Sequence, residues 1–164
     1  MNIFLLILIV LITIFIVFVL LGFIRTWHMQ HSVNQKKFLK GKIPAVLPDG
    51  FYTGWVIGYT GSWIGKSFHQ KKATGMNVFL LEKQQIERFP FITSVNKGLR
   101  DKNLDVIKIN YNLPQNSFFL RMILDEIVEV EKDTYLGKVH IILFSVIPFT
   151  VGYFSLKKEK NNLF

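Results

Sequence analysis

The chain contains no cysteine, only 5 prolines in 164 residues, and 11 acidic residues against 20 lysines and arginines. Without cysteine there is no thiol nucleophile and no disulfide framework, which fits a reducing compartment without proving one. Also missing are a G-x-S-x-G elbow and any cluster of side chains at metal-ligand spacing. The sequence therefore points away from an enzyme without closing that class, and it suggests no cofactor and no metal. Internal repeats and low-complexity segments are absent too. A length of 164 residues gives room for one ordinary domain and an accessory segment.

Charge is lacking altogether from residues 3–24, a run of 22 residues in which only Thr13 and Gly22 interrupt Ile, Leu, Val and Phe. At about 1.5 Å per residue, a helix of that length crosses the roughly 30 Å hydrocarbon core of a bilayer. A cleaved signal peptide is the rival reading. It needs a basic leader, a shorter apolar run and a small-residue cleavage site, whereas here Gly22-Phe23-Ile24-Arg25 ends the run without an Ala-x-Ala. An uncleaved single-pass anchor is the expectation. Arg25, Lys36, Lys37, Lys40 and Lys42 follow the run and no acid appears before Asp49, so the rest of the chain is expected on the cytoplasmic side of the inner (cytoplasmic) membrane.

The net charge of +9 invites a nucleic-acid partner, but the chain has no zinc spacing, recognition-helix pattern or aromatic RNA-binding signature. Anionic headgroups beside the anchor are the simpler partner for these cations. Residues 25–47 read as a basic connector, partly helical over 26–39, with Trp27 at the interface. His28 and His31 could share a helix face, yet two histidines without a third ligand suggest hydrogen bonding rather than a metal site.

From Pro48-Asp49-Gly50 onward the pattern changes to short runs of aromatic and β-branched residues punctuated by Gly, Asn and Pro. Strands are expected over 51–59, 62–69, 76–81, 92–95, 105–111, 126–131, 135–144 and 150–156, with residues 131–134 turning between two of them. Ile107, Ile109 and Tyr111 alternate with Lys108 and Asn110, the period of a half-buried strand. Two passages leave alternatives open. Phe119, Met122, Ile123 and Ile127 have helical spacing, so a helix over 117–124 competes with strand. The apolar run 139–156 is nearly long enough to span a membrane, but His140, Pro148 and Gly152 favour two buried strands joined at Pro148. Eight short strands with little helix predict an all-β antiparallel barrel or sandwich over 48–157, followed by a polar tail over 158–164.

The stretch "GYTGSWIGKSF" ends like a phosphate-binding loop. Only three residues separate Gly61 from Gly65 where four are required, and no helix follows. The glycines suit instead a bend or close backbone approach at the start of a strand, with Trp63 plugging the barrel's end. Gly61, Trp63 and Gly65 match a G-x-W-x-G signature, and in this the chain resembles the small bacterial GxWxG-domain proteins. More distantly it resembles the calycin group of lipocalins, fatty-acid-binding proteins and nitrobindins. The segment 125–138, with "DTYLGK", is similar to their closing hairpin.

The resemblance implies a calycin-like barrel of eight to ten strands around an apolar cavity. Lipocalins set an arginine over the tryptophan, a place that Arg121 or Lys157 would have to fill. Nitrobindin-like proteins hold haem through a late histidine, for which His140 is the candidate. Alternation puts His140 with Lys138 on the outer face, which argues against haem. Arg121 and Asp125 are four apart, an ordinary helical ion pair or an anchor for a ligand's polar head. Asn77, Tyr111, Asn116 and Tyr135 are further polar side chains on the strands, and any that point inward require a partner or a ligand.

Two functions follow. One is a membrane-anchored barrel binding an apolar or amphipathic small molecule, such as a lipid or fatty acyl group, through Trp63, Asn77, Tyr111, Arg121, Asp125 and Tyr135. The other is a non-enzymatic scaffold or assembly factor that meets a membrane protein through its surface. A cavity of several hundred Å³ favours the first; a filled barrel with an exposed apolar patch favours the second.

Overall fold

The computed structural model describes residues 2–58 and 60–159. Most of the expected C-terminal tail lies outside the described residues. The chain begins with two helices, α1 (Ile3–Gln30) and α2 (Val33–Phe38). Eight strands follow: β1 (Gly50–Val56), β2 (Trp63–His69), β3 (Thr74–Leu81), β4 (Gln84–Lys97), β5 (Asp105–Asn110), β6 (Ile123–Glu131), β7 (Thr134–Leu143) and β8 (Ile147–Lys158). Each pairs with its neighbour in sequence and β8 closes on β1, giving an antiparallel barrel with no free edge along the closed part.

Asn2 starts α1 by accepting a hydrogen bond from the Phe4 N–H, and the helix runs on without a break past Arg25 to Gln30. The end of the apolar run is therefore not the end of the helix: Arg, Thr, Trp, His, Met and Gln continue it at no steric cost. Ser32 caps α2, accepting from the Gln35 N–H. The helix expected over 117–124 reduces to a single 3₁₀ turn, Leu120–Met122, after which Ile123 enters β6. Strand β4 is much longer than expected, because Gln84–Lys97 pairs first with β3 and then with β5. The turn between β7 and β8 falls at residues 144–146, and Pro148 lies inside β8 opposite Ile142 rather than at the bend.

Turns between β1 and β2, β3 and β4, β5 and β6, and β7 and β8 lie at one end of the barrel, here called upper. The last third of α1 lies along the upper half of β8. Gly22 allows this approach, since a Cβ there would stand 2.8 Å from the Phe149 ring. Thr26 Oγ1 accepts from the Thr150 N–H (2.9 Å), and Arg25 Nε donates to the Val151 carbonyl (2.9 Å). Below that seam α2 continues along the wall, where Phe38 packs with Val106, Val128, Leu136 and Tyr153.

Candidate functional site

Aromatic rings fill the barrel. Tyr52 meets Phe68 at 5.6 Å and Tyr135 at 5.5 Å between ring centroids, Phe68 meets Phe91 at 5.5 Å, and Phe91 meets Tyr111 at 5.7 Å. All are edge-on contacts, the arrangement that ring quadrupoles prefer. Ile107, Ile109, Ile127 and Leu156 occupy the spaces between.

Across this core runs one polar strut. Lys66 on β2 reaches the facing wall, where its ammonium is 3.1 Å from Asp125 on β6. It also donates to Asn77 Oδ1 at 2.9 Å and to the Tyr111 hydroxyl, so its three donors have three acceptors. Tyr111 donates to Asp125, Asn77 Nδ2 donates to the Phe89 carbonyl (3.2 Å), and Trp63 Nε1 donates to Asn77 Oδ1 (3.1 Å). The rings of Trp63, Phe91, Tyr111 and Phe154 surround the ammonium at 5.1–5.5 Å. That is an aromatic cage whose cation belongs to the chain itself. Burial pulls the Lys66 pKa down, and the Asp125 carboxylate opposes the shift.

Trp63, Asn77, Tyr111 and Asp125 thus meet in one cluster. Tyr135 points inward elsewhere, against Tyr52. Gly61 lies in the exposed turn before β2, Trp63 is half-buried at the upper end, and Gly65 is buried against Tyr52. Asn116 Nδ2 donates to the Pro90 and Tyr111 carbonyls.

Arg121 does not join Asp125. Its Nε donates to Asn112 Oδ1 at an exposed site, because the strand beginning at Ile123 replaces the helix on which residues 121 and 125 would share a face. Neither Arg121 nor Lys157, which is exposed, supplies the cation beside Trp63. Lys66 does, and alternation from Trp63 hides it. A bulge between Trp63 and Gly65 shifts the register, so positions 63, 66 and 68 all face inward instead of 63, 65 and 67.

A second polar group lies outside the barrel wall, beneath α1 and the loop between β4 and β5. His140 is on the outer face with Lys138, yet both are fully buried. The Nε2–H tautomer lets His140 donate to Glu126 Oε2 (3.2 Å) and accept from the Thr150 hydroxyl (3.1 Å), so both ring nitrogens are engaged. Lys138 pairs with Asp101, which also accepts from Gln35 Nε2 (2.9 Å). The Tyr153 hydroxyl donates to Gln35 Oε1 (2.7 Å). At the C-cap of α1, His31 Nδ1 contacts the Trp27 carbonyl at 2.8 Å. No group of three or more potential metal ligands occurs among the described residues.

Burial raises the hydroxyl pKa of Tyr52, Tyr111, Tyr135 and Tyr153. Above the ordinary tyrosine value of 10.0 the unfolded chain loses these protons and the folded chain keeps them, so stability falls with rising pH. Lys66 and Lys138 have lowered values and work in the opposite sense only below their ordinary 10.5. Beyond that point the tyrosines act alone. In an alkaline titration, most tyrosinate absorbance should appear together with loss of near-ultraviolet circular dichroism, not before it.

A cavity of about 210 Å³ opens at the lower end, lined by Leu47, Pro48, Phe68, Thr93, Val95 and Ile107 among others. A shallow surface recess of about 920 Å³ lies beside β1 and β8, bordered by Trp55, Lys132, Lys157 and Lys158.

No protein-family model matches the chain, and no curated protein matches it. Among solved structures it is similar to a crystal structure of a protein from Thermomonospora curvata, at 14% identity and a TM-score of 0.54, over 77% of this chain and 85% of that one. That likeness concerns the fold, an antiparallel eight-strand barrel consistent with the calycin-like architecture.

Proposed function

We propose that this protein is a membrane-tethered calycin-like barrel that works as a non-enzymatic scaffold, with its anchor in the cytoplasmic membrane and its barrel on the cytoplasmic side. One observation carries the reading: rings and the Lys66–Asp125 strut occupy the space in which a lipocalin-type ligand would lie. The lower cavity, at about 210 Å³, falls short of the roughly 300–1,000 Å³ of ordinary small-molecule sites. Helix α1 supports the tether, since no residue of its most apolar 18-residue window is buried against the barrel. The cations at 25–42 support the orientation. The recess, where Lys132, Lys157 and Lys158 stand beside Asp133 and Glu159, offers a charged face to a membrane-protein partner. Placement among the GxWxG-domain proteins belongs to the same reading and rests on Gly61, Trp63 and Gly65.

The lower cavity favours a second reading, in which a small amphipathic ligand or the end of an acyl chain enters beside Phe68 and Val95 and meets the cluster of Trp63, Asn77, Tyr111 and Asp125 only if the rings part. Native mass spectrometry of the detergent-extracted chain separates the two. The scaffold reading expects the bare polypeptide mass. A stoichiometric adduct of lipid or fatty-acid mass, lost in a variant that fills the cavity such as Thr93→Phe, would overturn it in favour of the second.

A further inference from the structure

We propose that the tip of the β7–β8 hairpin is sunk in the hydrocarbon of the bilayer that α1 crosses, so that a helix and a β-ribbon side by side hold the membrane. The inference rests on the tether reading and adds a second element to it.

Length makes the first argument. Phe144 at the hairpin tip lies against Phe15 of α1, with ring centroids 6.0 Å apart. Helix α1 starts at Ile3, so 12 residues precede Phe15, and they extend about 18 Å. The hydrocarbon is about 30 Å thick, so any placement in which α1 spans it leaves roughly 12 Å of hydrocarbon alongside the ribbon.

Composition agrees. Residues 141–149, "IILFSVIPF", carry no charge, and Phe144 and Val146 are 70% and 77% exposed. The turn has positive φ at Phe144 (51°) and Ser145 (60°), positions where Asn and Gly are the usual residues. A phenylalanine occupies the first of them against the backbone's preference. Phe118 and Phe119, 71% and 79% exposed, stand at the same upper end, just before the strand that pairs Ile123 with Ile141.

The third argument concerns the backbone. An open strand edge does not survive in lipid, because its polar groups find no partner. Upper β8 extends beyond its pairing with β1, and several of its outward groups are covered. The Thr150 N–H goes to Thr26 and the Val151 carbonyl accepts from Arg25. Pro148 has no N–H, and its carbonyl accepts from Arg100 Nη1 at 2.8 Å. The Val146 N–H closes the turn on the Leu143 carbonyl. Arg25 and Arg100 thereby stand at the ribbon's base, where headgroup phosphates would meet them.

A native chain without cysteine permits a direct test. Phe144→Cys, and separately Val146→Cys in case the first perturbs the turn, are labelled with bimane in the full-length protein in vesicles of phosphatidylcholine and phosphatidylglycerol. Ile9→Cys serves as the anchor reference and Lys132→Cys, in the turn between β6 and β7, as the aqueous one. Probes at 144 and 146 should emit to the blue of the probe at 132, be quenched by a nitroxide midway along the acyl chain, and be shielded from iodide. Quenching of both by iodide and not by the nitroxide, with the probe at 9 quenched by the nitroxide, overturns the inference and leaves the tether intact. Shielding from both quenchers means that protein covers the tip, and also overturns it. If the probe at 9 escapes the nitroxide, the tether reading fails and this inference fails with it.

Discussion

Lys66→Met lowers the stability of the folded chain by about 3–5 kcal/mol, the usual cost of removing one partner of a buried ion pair. Asp125 then loses its ionic partner at a site where its side chain is only 6% exposed, and both Tyr111 and Asn77 lose the donor that holds them. The stranded polar partner, not the lost contact area, dominates, and a second substitution tests it. Adding Asp125→Leu removes the stranded carboxylate, and since apolar replacement of a whole buried pair is often neutral, the double variant should regain most of the loss. Thermal unfolding in detergent, followed by near-ultraviolet circular dichroism, is the measurement. For a domain of this size the single variant should melt roughly 10–25 °C lower. Additive losses in the double variant would show that Lys66 acts through packing instead.

Gly65→Ala has an effect of similar size for a different reason. At φ 151° the position is strained for any L-residue, and a Cβ would stand 2.0 Å from the Tyr52 carbonyl oxygen and 3.1 Å from the Gly54 nitrogen. Those are backbone atoms of the neighbouring strand, paired at Thr53 with Gly65, so no side chain can swing aside. Backbone strain and overpacking together amount to roughly 2–6 kcal/mol. Because the bulge beside Gly65 turns Lys66 inward, Trp63 emission should also move to the red as the cage opens. Gly152→Ala is the control: nothing lies within 4 Å of its Cβ position, and the change should fall within about 0.5 kcal/mol. Equal losses at both positions would refute the argument.

The barrel was legible because short aromatic and β-branched runs bounded by turn residues, such as the period-two Asp105–Asn110, repeat often enough to fix class and strand number. What escaped were local departures from that period. The bulge at Gly65 reverses the facing of Lys66, so the central cation looks like a surface residue. Another bulge leaves Phe89 unpaired between Arg88 and Pro90, and with polar "QQIERFP" it hides half of β4. Pro148 reads as a bend, but on an edge its missing N–H does no harm, and the turn falls instead at Phe144 and Ser145, which carry no turn signature. Lys138 and His140 were rightly placed on the outer face by alternation. Their burial depends on α1 and the loop around Leu99–Asp101, contacts separated by too much sequence for any local pattern to reveal.

The seam between α1 and β8 also sets an order of events. A ribosome delivers α1 first, and β8 is the last of the described strands to emerge, so on the proposed tether reading a helix lodged in the bilayer would wait for the rest of the barrel. Until Ile147–Lys158 arrives, β1 and β7 present raw edges, the condition in which β-proteins misassociate. Closure then joins β8 to β1 and β7 and docks its upper half on the waiting helix in the same step. Helix α1 thus offers a template for the barrel's final described strand, whatever else it holds.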